Sequence, residues 1–248
     1  MPLVAIPDAS RFLTGSFMAM AIALAALLVI GVRVAGRRLG EPPATRRRWT
    51  TFTVIGAVAW LGATWAVAET GHLSRLDLSP PPFAALPVAI VALASLMAFT
   101  RFGTRLVDGL PLAALIGVQA FRLPLELLMH QAAREGVMPY QMSFSGWNFD
   151  IVTGLTALPV AWAIRRGLGG RNLAIAWNAL GALLLLNFVT IAIVSTPVVG
   201  MFGPDLLNTW VMFPPFVWLP TVMVLMAVTG HLLVARALRR RAGRVNVG

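Results

Sequence analysis

The chain has 248 residues, 58% of them hydrophobic and 12% charged, with a mean hydropathy of +0.80. A water-soluble domain does not carry that apolar excess, and several runs approach the roughly 20 residues that cross about 30 Å of hydrocarbon. The sequence contains no cysteine, which excludes disulfides and thiolate metal sites, and no lysine, which excludes a retinal-type Schiff base.

The net charge of +11 is a matter of orientation rather than of a nucleic-acid partner. Arg33, Arg37, Arg38, Arg46, Arg47, Arg48, Arg101, Arg105, Arg165, Arg166, Arg171 and the five arginines from Arg236 to Arg244 fall in loops expected on one side. Arg11, Arg75 and Arg134 fall on the other. That asymmetry is the positive-inside signature. The first hydrophobic run has its arginines after it rather than before it, so it reads as a retained helix and not as a cleaved signal.

Seven spans are expected in chain order. The first covers residues 13–32 and leads into an arginine-rich loop, where Pro42 and Pro43 forbid a continuous helix. The second covers 50–68 and ends at Glu69 and His72. The third covers 83–100, with Arg101 and Arg105 at its inner end. Asp108, Gly109 and Pro111 then read as the entry to a fourth span over 110–131. A long connection with Pro139, Tyr140, Met142 and Trp147 suits an interfacial loop or short lid. The fifth span covers 149–164 with Asn148 or Asp150 as its cap, the sixth 173–195, and the seventh 216–235. The fold class is therefore an all-α integral membrane protein, a single polytopic domain over 1–248. Its N-terminus is expected outside and its C-terminus cytoplasmic, in a bacterial inner membrane.

An internal repeat is suggested by PPFAALPVAIV from Pro81 and PPFVWLPTVMV from Pro214. The offset of 133 residues also carries Arg33 onto Arg166. This predicts a 3+1+3 parallel arrangement, with halves over 13–105 and 149–241 joined by a linking helix over 110–131, as in some small transporters. The plainer explanation is convergence of two proline-led helix entries.

The fourth span carries the chemistry. At about 100° per residue, Gln119, Arg122, Glu126 and His130 project within roughly an 80° arc, and ionisable groups at that depth need an interior setting. Arg122 and Glu126, four apart, are placed to pair directly. Pro124 lacks an N–H and releases the carbonyl of Ala120, for which the Arg122 guanidinium or a water is the nearest donor. The candidate substrate or proton site is thus Gln119, Arg122, Glu126, His130, Asn148 and Asp150, with His130 and Asp150 as its outer gate. A metal site would draw on Glu126, His130, His72 and Glu69. His231 is expected at the inner end of the seventh span, too far in depth to join His130. The bland counterpart is a structural ion pair that staples helices together.

No P-loop, dinucleotide fingerprint or HExxH motif is present. Three functions remain. The first is a small-solute or proton-coupled transporter, the second an intramembrane metal-dependent enzyme or metalloprotein, the third a non-catalytic subunit or assembly factor of a membrane complex. The partners expected are the lipid bilayer, a small molecule or ion, and a second copy or membrane-complex subunit, with no cofactor indicated.

Overall fold

The computed structural model describes residues 6–245, with side chains described through residue 240. The retained-first-helix reading rests partly on residues 1–5, which lie outside the described residues. Among the described residues all regular structure is helical. Six helices are long and apolar enough to cross a membrane: Arg11–Arg38, Pro43–Glu69, Pro82–Phe99, Leu112–Arg134, Gly170–Val194 and Leu219–Arg240.

Helix α1 (Arg11–Arg38) starts where the Ser10 hydroxyl accepts the Leu13 N–H at 3.1 Å, and it ends in Arg37 and Arg38, which suit the negative end of its dipole. Helix α2 (Pro43–Glu69) begins with proline at a position that needs no N–H donor. The two form an antiparallel hairpin. A 3₁₀ turn over Pro82–Ala85 leads into α3 (Leu86–Phe99), which stops at an extended Thr100. Helix α4 (Arg101–Gly109) follows as a separate amphipathic piece. Its Gly109 packs so close to α1 that a Cβ there would sit 2.6 Å from the Ala35 Cα.

The fourth long span is broken. Helix α5 (Leu112–Gly117) passes through a 3₁₀ turn at Val118–Phe121 into α6 (Arg122–Arg134). The tightened turn lies just before Pro124, which cannot supply the N–H that Ala120 would normally receive. Helix α7 (Ile151–Arg165) has 15 residues, about 22 Å at 1.5 Å each, and falls short of the hydrocarbon thickness. Helix α8 (Gly170–Val194) is full length. The last span opens as a π-helix over Leu219–Val224 and continues as α9 (Leu225–Val245). In the π segment the Thr221 carbonyl receives the Trp60 indole N–H at 2.7 Å, while the Trp218 indole donates to the Leu61 carbonyl at 3.2 Å. These two bonds tie α2 to the last span.

Most expected boundaries are met within about three residues; α1 runs on to Arg38 rather than 32 and α2 starts at Pro43 rather than 50, and two further differences matter. The last helix runs well past residue 235, because Arg236 is engaged by the Thr104 hydroxyl and the Ala98 carbonyl instead of lying in a tail. The expected fifth span is the short α7, unlike its proposed repeat mate α1 of 28 residues. The two proline-led entries also differ, one being a 3₁₀ turn and the other a π-helix.

Specific pairs identify the two ends of the bundle. At the arginine-rich end, Arg105 binds Glu41 through two bonds of 2.8 and 2.7 Å, and Arg240 binds Asp108 at 2.6 Å. At the opposite end, Ser10 donates from its N–H and hydroxyl to Glu135 at 2.9 and 2.8 Å, and Gln141 donates to the Ser195 hydroxyl at 2.9 Å. The apolar core falls into two main clusters. One gathers Phe17, Met129, Met142, Trp210 and Phe216, and the other Val32, Leu106, Ile116, Trp177 and Val234.

Candidate functional site

Between those clusters lies a buried polar network. Gln119 and Asn148 are 0% exposed, Arg122 1%, Glu126 2%, Asp150 3% and His231 5%. Four segments converge on α6 to build it: the connection before α7, α7 itself, α8 and α9.

Arg122 is its centre. One guanidinium nitrogen donates to Asp150 Oδ2, and the other donates to His231 Nε2 at 2.9 Å. A guanidinium can only donate, so His231 Nε2 must accept, which leaves the ring proton on Nδ1. That Nδ1–H then donates to Asn178 Oδ1 at 3.0 Å, fixing the tautomer from both sides. Asp150 Oδ1 accepts from the Thr153 hydroxyl at 3.1 Å, so both carboxylate oxygens are engaged.

Glu126 belongs to the network by a different route. Its Oε2 accepts from the Asn148 side-chain amide at 2.8 Å, and the same amide donates to the Met142 carbonyl at 3.1 Å. Asn148 Oδ1 accepts the Asp150 N–H at 3.0 Å. Asn148 therefore ties the Glu126 carboxyl to the backbone of Asp150. Asp150 has a cation, whereas Glu126 has an amide. Gln119 reaches the other way, donating to the Ala227 carbonyl of α9 at 3.2 Å, with its own side-chain oxygen unpartnered.

Close helix approach makes this fit possible. A Cβ on Gly154 of α7 would collide with the Leu123 backbone nitrogen, and one on Gly230 of α9 would collide with the Gln119 amide. On Gly181 of α8 it would lie 2.6 Å from His231 Cε1. Small residues at helix crossings let backbones approach where no hydrophobic force operates between helices. Here they press three helices onto the polar residues.

The structure brings together Arg122, Glu126, Asn148 and Asp150 and seats Gln119 against α9. The expected Arg122–Glu126 pair is not formed, because Asp150 arrives from the start of α7 and takes the guanidinium, leaving Glu126 a turn farther along. Arg122 likewise bonds Asp150 and His231 rather than the Ala120 carbonyl. Asn148 and Asp150 are not at an outer surface. Twelve residues separate Arg122 from the end of α6 at Arg134, about 18 Å of helix, so the irregular segment before α7 dips well into the bundle. Non-helical backbone at such depth is tolerated when protein covers it, and Met142, Ser143 and Asn148 are all buried.

His130 stands apart. It stacks on Phe144 at 4.6 Å, and its Nδ1 lies 3.1 Å from the Ser145 hydroxyl. Glu69 and His72 are exposed. Among the described residues no three His, Asp or Glu side chains are grouped to hold a metal ion, so the candidate ligands Glu126, His130, His72 and Glu69 are not assembled.

His231 lies deeper than the sequence suggests, because a last span ending at residue 235 places this histidine at the inner surface. Nine residues of helix separate it from Arg240, about 14 Å, which sets it at the depth of Arg122. The available signal was periodicity. Ala227, His231 and Val234 share a stripe with the buried Leu238 and continue past the boundary chosen from arginine density.

Among five prominent hollows of the described residues, none is lined by Gln119, Arg122, Glu126, His130, Asn148, Asp150 or His231. A small one of about 70 Å³ touches Val118, Thr229 and Gly230, next to Gln119, and the Thr229 hydroxyl there has no partner. Where an outward-opening pocket is expected, none of these hollows reaches the network: the small one lies beside Gln119, and one of about 960 Å³ at the end opposite the arginines is lined by Leu76, Ala133, Tyr140 and Leu206. No protein-family model, curated protein or solved structure matches the chain.

Proposed function

We propose that the chain is a proton-coupled membrane transporter in a closed conformation, with Glu126 as the group that carries the proton. The observation behind this reading is the asymmetry of the two buried carboxyls. Asp150 is committed to Arg122 and Thr153, while Glu126 is held only by the Asn148 amide. A carboxyl bound by a neutral amide exchanges its proton without dismantling an ion pair. Asn148 also holds the backbone of Asp150, whose carboxylate contacts Arg122 and through it His231, so Glu126 sits at one end of a polar cluster that extends toward α8 and α9. Buried ionisable groups in a membrane bundle mark proton relays. In this proposal the arginine-rich end faces the cytoplasm and α7 serves as a short seventh span.

A second reading is favoured by a specific observation: the network borders no solute-sized hollow, as expected of a subunit or assembly factor in which it only orders the helices. A metalloprotein gains no support, since its ligands are scattered. The experiment is proton flux into vesicles containing the purified protein. Glu126→Gln abolishes it, and Glu135→Gln, at the exposed end of α6, leaves it unchanged. Wild-type protein that passes no protons under any imposed gradient favours the ordering role.

A further inference from the structure

At the arginine-rich end, a cleft of about 400 Å³ opens between the last turns of α1 and the first turns of α2. It is lined by Arg33, Arg37, Arg46 and Arg47, together with Thr50 and Thr51. Two acids reach this end of the bundle, and both are engaged elsewhere, Glu41 by Arg105 and Asp108 by Arg240. Among the described residues none of the four cleft arginines forms a salt bridge. The cleft also adjoins the start of α2, whose first turn has no side-chain cap and so adds unsatisfied N–H groups of positive sign. Four guanidiniums, the Thr51 hydroxyl and a helix start without a carboxylate make an anion site, while the Thr50 hydroxyl is donated to the Arg46 carbonyl at 2.8 Å. Guanidinium forks match phosphate oxygens in particular.

The surroundings say which phosphate. Ile30 lies one turn before Arg33 on α1, and Val54 and Val58 continue the Arg47 stripe on α2. They are 54%, 41% and 65% exposed, forming an apolar ridge that leads directly away from the cleft. We propose that this cleft binds the phosphate headgroup of an anionic phospholipid, whose acyl chains lie along the α1–α2 ridge. Basic pockets between helices at this membrane face have that chemistry.

The test is lipid retention by the intact chain, read by native mass spectrometry after reconstitution in mixed phosphatidylglycerol and phosphatidylcholine. Wild-type protein is expected to retain phosphatidylglycerol selectively. Arg33→Gln/Arg47→Gln weakens retention by about five-fold for each arginine removed. Arg38→Gln/Arg48→Gln removes equal charge from exposed arginines that do not line the cleft and leaves retention unchanged. Arg37→Gln/Arg46→Gln repeats the first result with the remaining pair, which covers a failure of either variant to fold. Equal loss in the cleft and control variants would reduce the effect to diffuse charge and overturn the site. Inorganic phosphate that protects the detergent-solubilised protein as well as the lipid does would overturn the lipid assignment.

Discussion

Arg122 and Asp150 show what a single buried contact does at this depth. Removing one member leaves an uncompensated charge among apolar clusters and costs about 3–5 kcal/mol, whereas replacing both with apolar residues of similar size is far cheaper. Arg122→Met and Asp150→Leu alone should therefore destabilise the bundle strongly, and the double variant should regain most of the loss. Unfolding measured in lipid-like bicelles checks this, and additive losses would contradict it. The glycines give a second contrast. Gly154→Ala meets backbone and should cost about 1–3 kcal/mol, Gly230→Ala meets only the end of the Gln119 side chain and should cost less, and Gly56→Ala enters open space and should be neutral or mildly stabilising. At this scale the sequence revealed Arg122 and Glu126 through their rarity in hydrocarbon. It hid their true partners, because Asp150 and His231 come from segments whose depth only packing determines.

Among the elements, the segment between α6 and α7 decides the character of the site. Read from the sequence it is a surface connection, since Pro139, Gly146 and Trp147 are all at home near an interface. The fold instead buries Met138, Met142, Ser143 and Asn148 and leaves Tyr140 and Trp147 exposed. Composition could not show this, because the segment is polar on the side that bonds and apolar on the side that packs. Its anchor is Asn148. Asn148→Ala leaves the Asp150 N–H, the Met142 carbonyl and Glu126 without partners and should cost about 1–3 kcal/mol for each group stranded. The local outcome is faster hydrogen exchange across residues 138–150 while α1 and α2 exchange as before. Uniform exchange in the variant would mean that the segment is held by its apolar contacts alone. The same reasoning explains the last span. Arginine density suggests an early end, but Arg236 and Arg240 lie on the helix and hold α4.

For the whole molecule, hydropathy and arginine placement were enough to define a helical membrane bundle, because those signals are physical requirements of the bilayer. The short α7 is where they ran out. Fifteen residues satisfy composition without satisfying length, so the crossing at α7 is a proposal about topology. The absence of cysteine makes it directly testable. Single cysteines at Ser145 and Gly40 should be labelled by a membrane-impermeant reagent from opposite faces of intact cells, with Ser145 reached from outside. Labelling of both from one side would refute the orientation.

The proton-carrying role of Glu126 is tested most directly by Glu126→Gln, with stability and vesicle proton flux measured on the same purified sample. Glutamine keeps an oxygen for the Asn148 amide, so the predicted result is wild-type stability with proton flux abolished. Flux equal to wild type in the folded Glu126→Gln protein would contradict the proposal and leave the buried network a purely structural one.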